Sequence, residues 1–191
     1  MRYIYSFLCF FIPNIIWQFK NKKVQTHYVR HIVWTYIFML YCYLAVEVAA
    51  DMGTIWDLLY YKGFRGRIYL KPFLITEIMS HILNIIMFMP LGFLLPFIWD
   101  NFRNAYKVTA VGFFMSLAVE ICQLFCHRAT DVNDLITNTT GTIVGYCIWC
   151  IFHKIFPDSG KKSIFIDRYE PVIYIAWGML GIFLLYDRRI C

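Results

Sequence analysis

Six long apolar runs constrain this chain more than any other feature of its sequence. A helix needs about 20 mostly apolar residues to cross the hydrocarbon layer of a bilayer, and each run approaches that length. Because lipid offers the backbone no hydrogen-bond partners, such runs predict helices and not open strands. The runs extend from Tyr3 to Phe19, Ile32 to Ala50, Ile82 to Trp99, Val108 to Cys126, Ile136 to Phe156 and Val172 to Tyr186. We therefore expect an all-α fold, a polytopic transmembrane helical bundle with about six spans, or five if the first run does not cross.

The composition excludes a soluble domain. Of the 191 residues, 60% are hydrophobic and 16% are charged, whereas soluble domains carry about 25% charged residues. The net charge of +6 would suit nucleic acid, but the basic residues lie in short gaps between apolar runs. That placement is typical of cytoplasmic loops and of contacts with anionic lipid headgroups. We expect membrane lipids and no nucleic acid as partners, and no feature of the sequence indicates an oligomeric state.

The runs divide the chain into three parts. Residues 1–31 contain the first span and a basic cytoplasmic loop, residues 32–155 contain the central spans, and residues 156–191 contain a loop and an additional span. The first run resembles a secretory signal, but no small-residue cleavage site follows it, so we expect it to be retained. Lys and Arg are slightly more frequent after the first, third and fifth spans, which favours both chain termini outside the cytoplasm.

The longest gap, from Asp51 to Pro72, mixes aromatic residues with basic ones. A half-buried helix lying on the outer membrane surface has this composition. A loop with aromatic residues at the interface has it as well. The sequence leaves both alternatives open.

Polar residues inside the apolar runs are the candidate functional residues. A carboxylate at mid-membrane costs about 2.5–3.5 kcal/mol on insertion scales, so Glu120 should face other helices or a wet cavity. Ser116, Glu120, Gln123 and His127 recur at helical spacing and share one face of the fourth span. Glu120 should lie about 9 Å below the end of that span.

Polar residues from three runs should meet at one membrane face. The candidate ligand-binding residues are Asn84, Glu120, Gln123, Arg128, Asp131, Asp134 and Asn138. We expect them to form a shallow polar pocket that opens outward between the third, fourth and fifth spans. Asp134 is also placed to cap the fifth helix. No metal and no cofactor are expected, because Arg128 brings positive charge among the carboxylates and no HExxH-type signature is present.

Prolines and glycines should shape the walls of this pocket. Pro90, Gly92 and Pro96 are expected to interrupt the third helix and permit a kink. Gly141 and Gly145 form a GxxxG motif, which lets a neighbouring helix approach closely. We expect the fourth helix to pack there.

The combined pattern resembles the VanZ-like family over residues 32–155, which we therefore name the VanZ-like core. In the third span it reads Asn84-x3-Phe88-x-Pro90-x-Gly92. In the fourth it reads Gly112-x3-Ser116-x3-Glu120-x2-Gln123. It ends as Arg128-x2-Asp131-x2-Asp134-x3-Asn138-x2-Gly141-x3-Gly145. The structural members of this pattern are Phe88, Pro90, Gly92, Gly112, Ser116, Gly141 and Gly145.

The resemblance implies a multi-pass protein of the bacterial cell membrane, linked to glycopeptide (teicoplanin) resistance or to the cell envelope, with the motif loops on the extracytoplasmic side. It supplies no catalytic residue. One hypothesis is a non-enzymatic protein that binds an amphiphile, either a lipid-linked cell-wall precursor or a lipoglycopeptide, with Arg128 at an anionic headgroup. The alternative is an intramembrane hydrolase or transferase acting on a lipid headgroup, with Glu120 as general base and Asp131 or Asp134 orienting water. Binding is favoured, because no serine or cysteine nucleophile stands beside an evident histidine base.

Overall fold

The protein is described by a computed structural model that covers residues 2–21, 28–61, 67–69, 78–125, 129–157 and 168–189. Helices dominate these residues. They are α1 (Arg2–Lys20), α2 (Tyr28–Tyr43), α3 (Ile55–Tyr61), α4 (Ile78–Ile98), α5 (Ala105–Gln123), α6 (Val132–Ile155) and α7 (Glu170–Leu185). A π-helical turn, Leu44–Ala49, continues α2, and a short 3-10 turn, Asp100–Phe102, follows α4.

Each of the six apolar runs forms a helix, so the expected helical bundle is confirmed. Three helices, α4, α5 and α6, are long and apolar enough to cross a membrane. Helix α7 is apolar but has only 16 residues. The crossing of the bilayer by all six runs therefore stays a prediction.

Helices α4 and α6 form the most extensive contact between elements. A Cβ added at Gly141 would meet the backbone oxygen of Ile85, and one added at Gly145 would meet that of Met89. From the other side, Gly92 faces the backbone oxygen of Thr142. The fourth span forms α5, and the expectation that this helix packs on the GxxxG face is therefore wrong. Helix α4 packs there because its own Gly92 lets two backbones approach together, whereas α5 reaches α6 through Gly112 against the Thr142 side chain.

The prolines of α4 do not interrupt it. Pro90 and Pro96 both lie inside one continuous helix, Ile78–Ile98. The expected break is therefore wrong. A proline removes a single backbone donor, and the helical turns on both sides, held against α6, continue across it.

The start of α1 and the segment after α7 lie at the same end of the bundle as the segment that follows α2. Arg2 Nε donates to the Tyr186 hydroxyl at 2.9 Å, and Arg2 pairs with Asp51 at 3.2 Å. Helix α1 packs mainly against α7, where Gly181 lies against the Cys9 backbone oxygen. The division of the chain into three parts at residues 31 and 155 stays a prediction.

The gap from Asp51 to Pro72 is partly helical. Residues Ile55–Tyr61 form α3, so a simple loop does not describe this part. Beyond it, Arg67–Tyr69 (β1) pairs in parallel with Ala129–Asp131 (β2), a ladder that the sequence pattern did not indicate. The ladder joins this gap to the loop between α5 and α6, beside the predicted pocket.

Candidate functional site

A cavity of about 250 Å³ lies among α4, α5, α6 and the π-helical turn. Its polar lining comes from Ser80, Asn84, Glu120, Gln123, Asp134 and Asn138. Its remaining lining residues are Ala45, Ala50, Met87, Phe88, Met115 and Val119. The structure therefore brings together five of the seven residues predicted to bind ligand.

Asn84 and Asp134 join α4 to α6 at this cavity. Asn84 Nδ2 donates to Asp134 Oδ1 at 2.6 Å. Asp134 lies in the first turn of α6, where backbone N–H groups without helical partners favour a carboxylate. The capping residue, however, is Asp131, whose Oδ1 accepts from Asn133 N at 2.9 Å. The capping role expected of Asp134 is wrong, because α6 begins at Val132, two residues before it.

Glu120 is 5% exposed and faces the cavity from the last turn of α5. Its Oε2 accepts the backbone N–H of Asp131 at 3.2 Å. Because α5 ends at Gln123, Glu120 lies about 5 Å from the helix end. The expected depth of about 9 Å was too large. The apolar residues after Gln123 form a turn, in which Leu124 N bonds Ile121 O.

Asn138 connects α6 to α5 deeper in the cavity. Its Nδ2 donates to Ser116 Oγ at 2.9 Å, in a buried contact. Asn138 is 4% exposed, and its Oδ1 has no hydrogen-bond partner among the described residues. The amide oxygen is thus a buried acceptor beside a cavity.

Gln123 tethers α5 to the segment after α2. Its Nε2 donates to the backbone oxygen of Ala50 at 2.7 Å. This contact fixes the π-helical turn as a fourth wall, whereas the sequence predicted walls from three spans only. No sequence motif indicated that Ala45 and Ala50 line the cavity, because small apolar residues are not distinctive within an apolar run.

Arg128 and His127 lie outside the described residues. The proposed contact of Arg128 with an anionic group therefore stays a prediction. Asp131 is not among the residues that line the cavity. It contacts the site through its backbone N–H, which donates to Glu120, and its side chain caps α6.

The chemistry of the described cavity is rich in hydrogen-bond acceptors. Asn84, Gln123 and Asn138 each use an amide N–H for a contact within the protein. When they are ionised, the carboxylates of Glu120 and Asp134 can accept hydrogen bonds but cannot donate them. The amide oxygen of Asn138 is also an acceptor only. A group that carries hydroxyl or N–H donors complements this lining. Within the described residues, no cluster of three or more His, Cys, Asp or Glu side chains is arranged to hold a metal ion.

Glu47 is a buried carboxylate that the sequence reasoning missed. It lies on the π-helical turn and is 2% exposed. Neither carboxylate oxygen has a hydrogen bond of ordinary geometry with a described residue. Arg188, Arg2 and Tyr186 lie close enough to interact with it electrostatically. An acidic residue inside an apolar run is itself a signal, since its cost in lipid demands a protein environment.

Comparisons with known proteins agree on one family. The VanZ/LLP1 family matches residues 3–153. Protein VanZ of Enterococcus faecium is 32% identical over 121 residues, which cover 61% of this chain and 69% of that protein. No solved structure matches the chain. Helix α7 lies beyond the matched region.

Proposed function

This chain belongs to the VanZ/LLP1 family, and we propose that it binds a lipid-like amphiphile in the cavity between α4, α5 and α6. By doing so it contributes to teicoplanin tolerance or to maintenance of the cell envelope. The observation that carries the proposal is the cavity itself. Polar side chains of three separate helices converge on it, although the surrounding helices are apolar enough to cross a membrane.

The lining favours a headgroup with several hydrogen-bond donors. The carboxylates of Glu120 and Asp134 line the cavity, and the buried Asn138 oxygen is available to accept. Sugar hydroxyls donate to such groups. A lipid-linked cell-wall precursor and a lipoglycopeptide both carry sugars, and Arg128 would meet an anionic group on either.

The proposed setting is a bacterial cell membrane that the chain crosses six times, with the cavity near the extracytoplasmic surface. The amphiphile would then reach the cavity from the outer leaflet. The three long apolar helices support a membrane location. The cavity lies at the end of the bundle that holds Arg2 and Asp51, and the distribution of Lys and Arg predicts that this end lies outside the cytoplasm.

Replacement of Asn138 tests the binding proposal. Asn138→Leu keeps the side-chain size but removes the acceptor and the bond to Ser116. We expect teicoplanin tolerance to fall, because one lost hydrogen bond is worth up to about 1.5 kcal/mol, or about tenfold in affinity. Tolerance to teicoplanin and to vancomycin would be measured at matched membrane abundance of each variant.

Thr140→Val is the matched control. Thr140 is exposed on the same helix, and among the described residues its hydroxyl donates to the Ile136 oxygen of its own helix. This control should keep full tolerance. Equal tolerance of Asn138→Leu, Thr140→Val and the parent would contradict a binding role for the cavity.

An enzymatic function is the alternative, favoured by the two carboxylates in one cavity. Glu120 would take a proton from a water molecule that Asp134 orients and that attacks the lipid headgroup, and the leaving oxygen of the cleaved bond would then receive the proton. Glu120→Gln keeps the shape of the side chain and should preserve binding, but it would abolish turnover. Mass spectrometry of lipid extracts from cells with the parent protein and with Glu120→Gln distinguishes the two functions. A headgroup product that depends on Glu120 would establish the enzyme.

A further inference from the structure

The end of the bundle opposite the cavity carries a cluster of cations. Helices α2, α4 and α7 meet there, since Glu170 accepts from Trp99 Nε1 and lies 3.0 Å from His31 Nε2. Helices α1 and α6 end there and α5 begins there. We call this part of the bundle the basic end. Its cations among the described residues are Lys20, Arg30, Arg103, Lys107, Lys154 and Arg168.

Few acidic groups balance these cations. Among the described residues of the basic end, the acids are Asp100 and Glu170. Asp100 pairs with Arg103 at 2.7 Å, and Glu170 is fully buried inside its own cluster. Six basic and two acidic side chains leave this described surface with a formal net charge of +4.

The arginines at the cavity end have acidic partners within the protein. Arg2 and Arg188 both pair with Asp51, at 3.2 Å and 3.0 Å. Arg189 pairs with Asp187 at 2.8 Å. The charges of these arginines are therefore matched by carboxylates of the chain itself.

The exposed cations of the basic end lack such partners. Lys20, Lys154 and Arg168 are exposed and form no ion pair with another described residue. Lys107 Nζ donates to the backbone oxygen of Asn101 at 3.1 Å and to its Oδ1 at 2.7 Å. An ammonium group has three N–H donors, so Lys107 is held in place with one donor remaining for another acceptor.

Large exposed side chains adjoin these cations along the chain. The pairs are Phe19 with Lys20, Tyr106 with Lys107, Ile155 with Lys154, and Tyr169 with Arg168. This combination suits the boundary between acyl chains and headgroups, where the ring or alkyl group enters the apolar layer and the cation reaches a phosphate. A nucleic acid would match the cations but would leave the apolar neighbours in water. The surface therefore favours lipid.

We propose that the basic end is a docking surface for anionic phospholipids of the leaflet that it faces. On the sidedness predicted from the Lys and Arg distribution, this is the inner leaflet. Each cation near an anionic membrane surface strengthens binding roughly fivefold. The inference concerns the opposite end of the bundle from the cavity and does not depend on the ligand of the cavity.

Lipid retention by the full chain tests the inference. The purified chain in a neutral detergent is equilibrated with equal amounts of phosphatidylglycerol and phosphatidylcholine that have the same acyl chains. Native mass spectrometry then counts the bound lipids. We expect several-fold more phosphatidylglycerol than phosphatidylcholine at low salt. This preference should fall at about 1 M salt, where the Debye length is only about 3 Å.

Two variants each remove one exposed charge from the basic end, Lys154→Gln and Arg168→Gln. Each should lower the retention of phosphatidylglycerol roughly fivefold, whereas Lys154→Arg should keep the parent value. The matched control is Arg189→Gln, which removes one charge at the cavity end. This control should leave the lipid preference unchanged. The unfolding temperature of each variant in the same detergent shows that the fold is retained.

Three outcomes would overturn the inference. The first is equal retention of the two lipids by the parent. The second is a phosphatidylglycerol preference that both variants of the basic end leave intact, since the anionic lipid would then bind elsewhere. The third is displacement of phosphatidylglycerol by a single-stranded oligonucleotide, which would make the basic end a nucleic-acid surface. Asn138→Leu, which tests the cavity, should not change the lipid preference, so the two proposals can fail separately.

Discussion

At the scale of single residues, the cavity depends on side chains that bond across helices. Asn84 and Asp134 are the clearest pair, because their 2.6 Å contact joins two helices whose backbones already touch. The same residues line the cavity. Their structural role and their proposed binding role are therefore coupled, and a stability measurement is needed beside every functional one.

Asp134→Ala removes the acceptor of Asn84. The variant should lower the free energy of unfolding by about 1–3 kcal/mol, since a half-buried amide loses its charged partner. Thermal unfolding in detergent measures this change. Thr140→Ala, at an exposed position of the same helix, should leave the unfolding temperature within error. A drop of the same size in both variants would contradict a specific role for the pair.

Glu47→Gln should raise the unfolding free energy. The buried carboxylate has no hydrogen bond of ordinary geometry with a described residue. Its desolvation outweighs its electrostatic interactions with Arg188, Arg2 and Tyr186, so neutralisation should give a net gain in stability. Arg188→Ala should do the opposite, because Arg188 donates to the Met52 oxygen at 2.6 Å and pairs with Asp51 at 3.0 Å. Denaturation of both variants and the parent under the same conditions shows whether each substitution raises or lowers the free energy of unfolding. A destabilised Glu47→Gln would show that the charge itself is required.

At the scale of elements, the contact between α4 and α6 sets the geometry of the cavity. Both helices carry polar lining residues, and their separation is fixed by glycines facing backbone oxygens. Asp131 caps the start of α6 and donates its N–H to Glu120. The start of one helix thereby positions the end of another.

Gly145→Ala tests this contact, because the close packing predicts that the substitution lowers the free energy of unfolding. In a free helix the change would stabilise by up to about 1 kcal/mol. Here the new Cβ would meet the Met89 backbone oxygen, which cannot move without separating the helices. We expect destabilisation, and the proposed function predicts loss of teicoplanin tolerance as the cavity widens. Unfolding temperature and tolerance would be measured together; a more stable variant would contradict the close packing.

At the scale of the whole molecule, a buried polar cluster secures the end of the bundle opposite the cavity. Glu170 is fully buried and accepts from Trp99 Nε1 at 3.0 Å and from the Tyr174 hydroxyl at 2.8 Å. Its Oε1 also lies 3.0 Å from His31 Nε2. One carboxylate therefore links α2, the end of α4 and α7.

Glu170→Ala should release α7. Breaking a buried polar pair by removing one partner costs about 3–5 kcal/mol, because the other groups remain buried. Glu170→Gln keeps an acceptor and should lose less. Limited proteolysis of the 156–170 region, compared with the unfolding temperature, would reveal the release. Equal stability of both variants and the parent would exclude this role.

The sidedness of the bundle is a separate prediction for the whole molecule. Tyr60 is 60% exposed near the cavity end, and Tyr106 is 82% exposed at the start of α5. With the seven native cysteines replaced by serine, Tyr60→Cys should react with an impermeant thiol reagent on intact cells. Tyr106→Cys should react only after permeabilisation. The reverse pattern would place the cavity on the cytoplasmic side.

The positions of helices and most of the polar lining of the cavity were accessible from local patterns. Apolar runs predicted six helices, and Glu120 and Asn138 stood out because polar groups in such runs need protein partners. Helix ends were less accessible. The apolar sequence continues past Gln123, so no composition change marks the end of α5. Asp131, in contrast to Asp134, became identifiable as the cap only from its backbone geometry.

Apolar helices, and a few polar residues that must avoid lipid, follow from the amino-acid sequence alone, because both depend on the cost of exposing polar groups to hydrocarbon. Which helices meet depends on how they pack in three dimensions. A glycine motif indicates that the backbone of another helix can approach closely, but it does not indicate which helix. Here α4 packs on α6 because the space at Gly92 lies opposite the space at Gly145. Likewise, the π-helical wall, the β1–β2 ladder and the Glu170 cluster arise from contacts between residues far apart in the chain. Such contacts leave no periodic signal in the sequence.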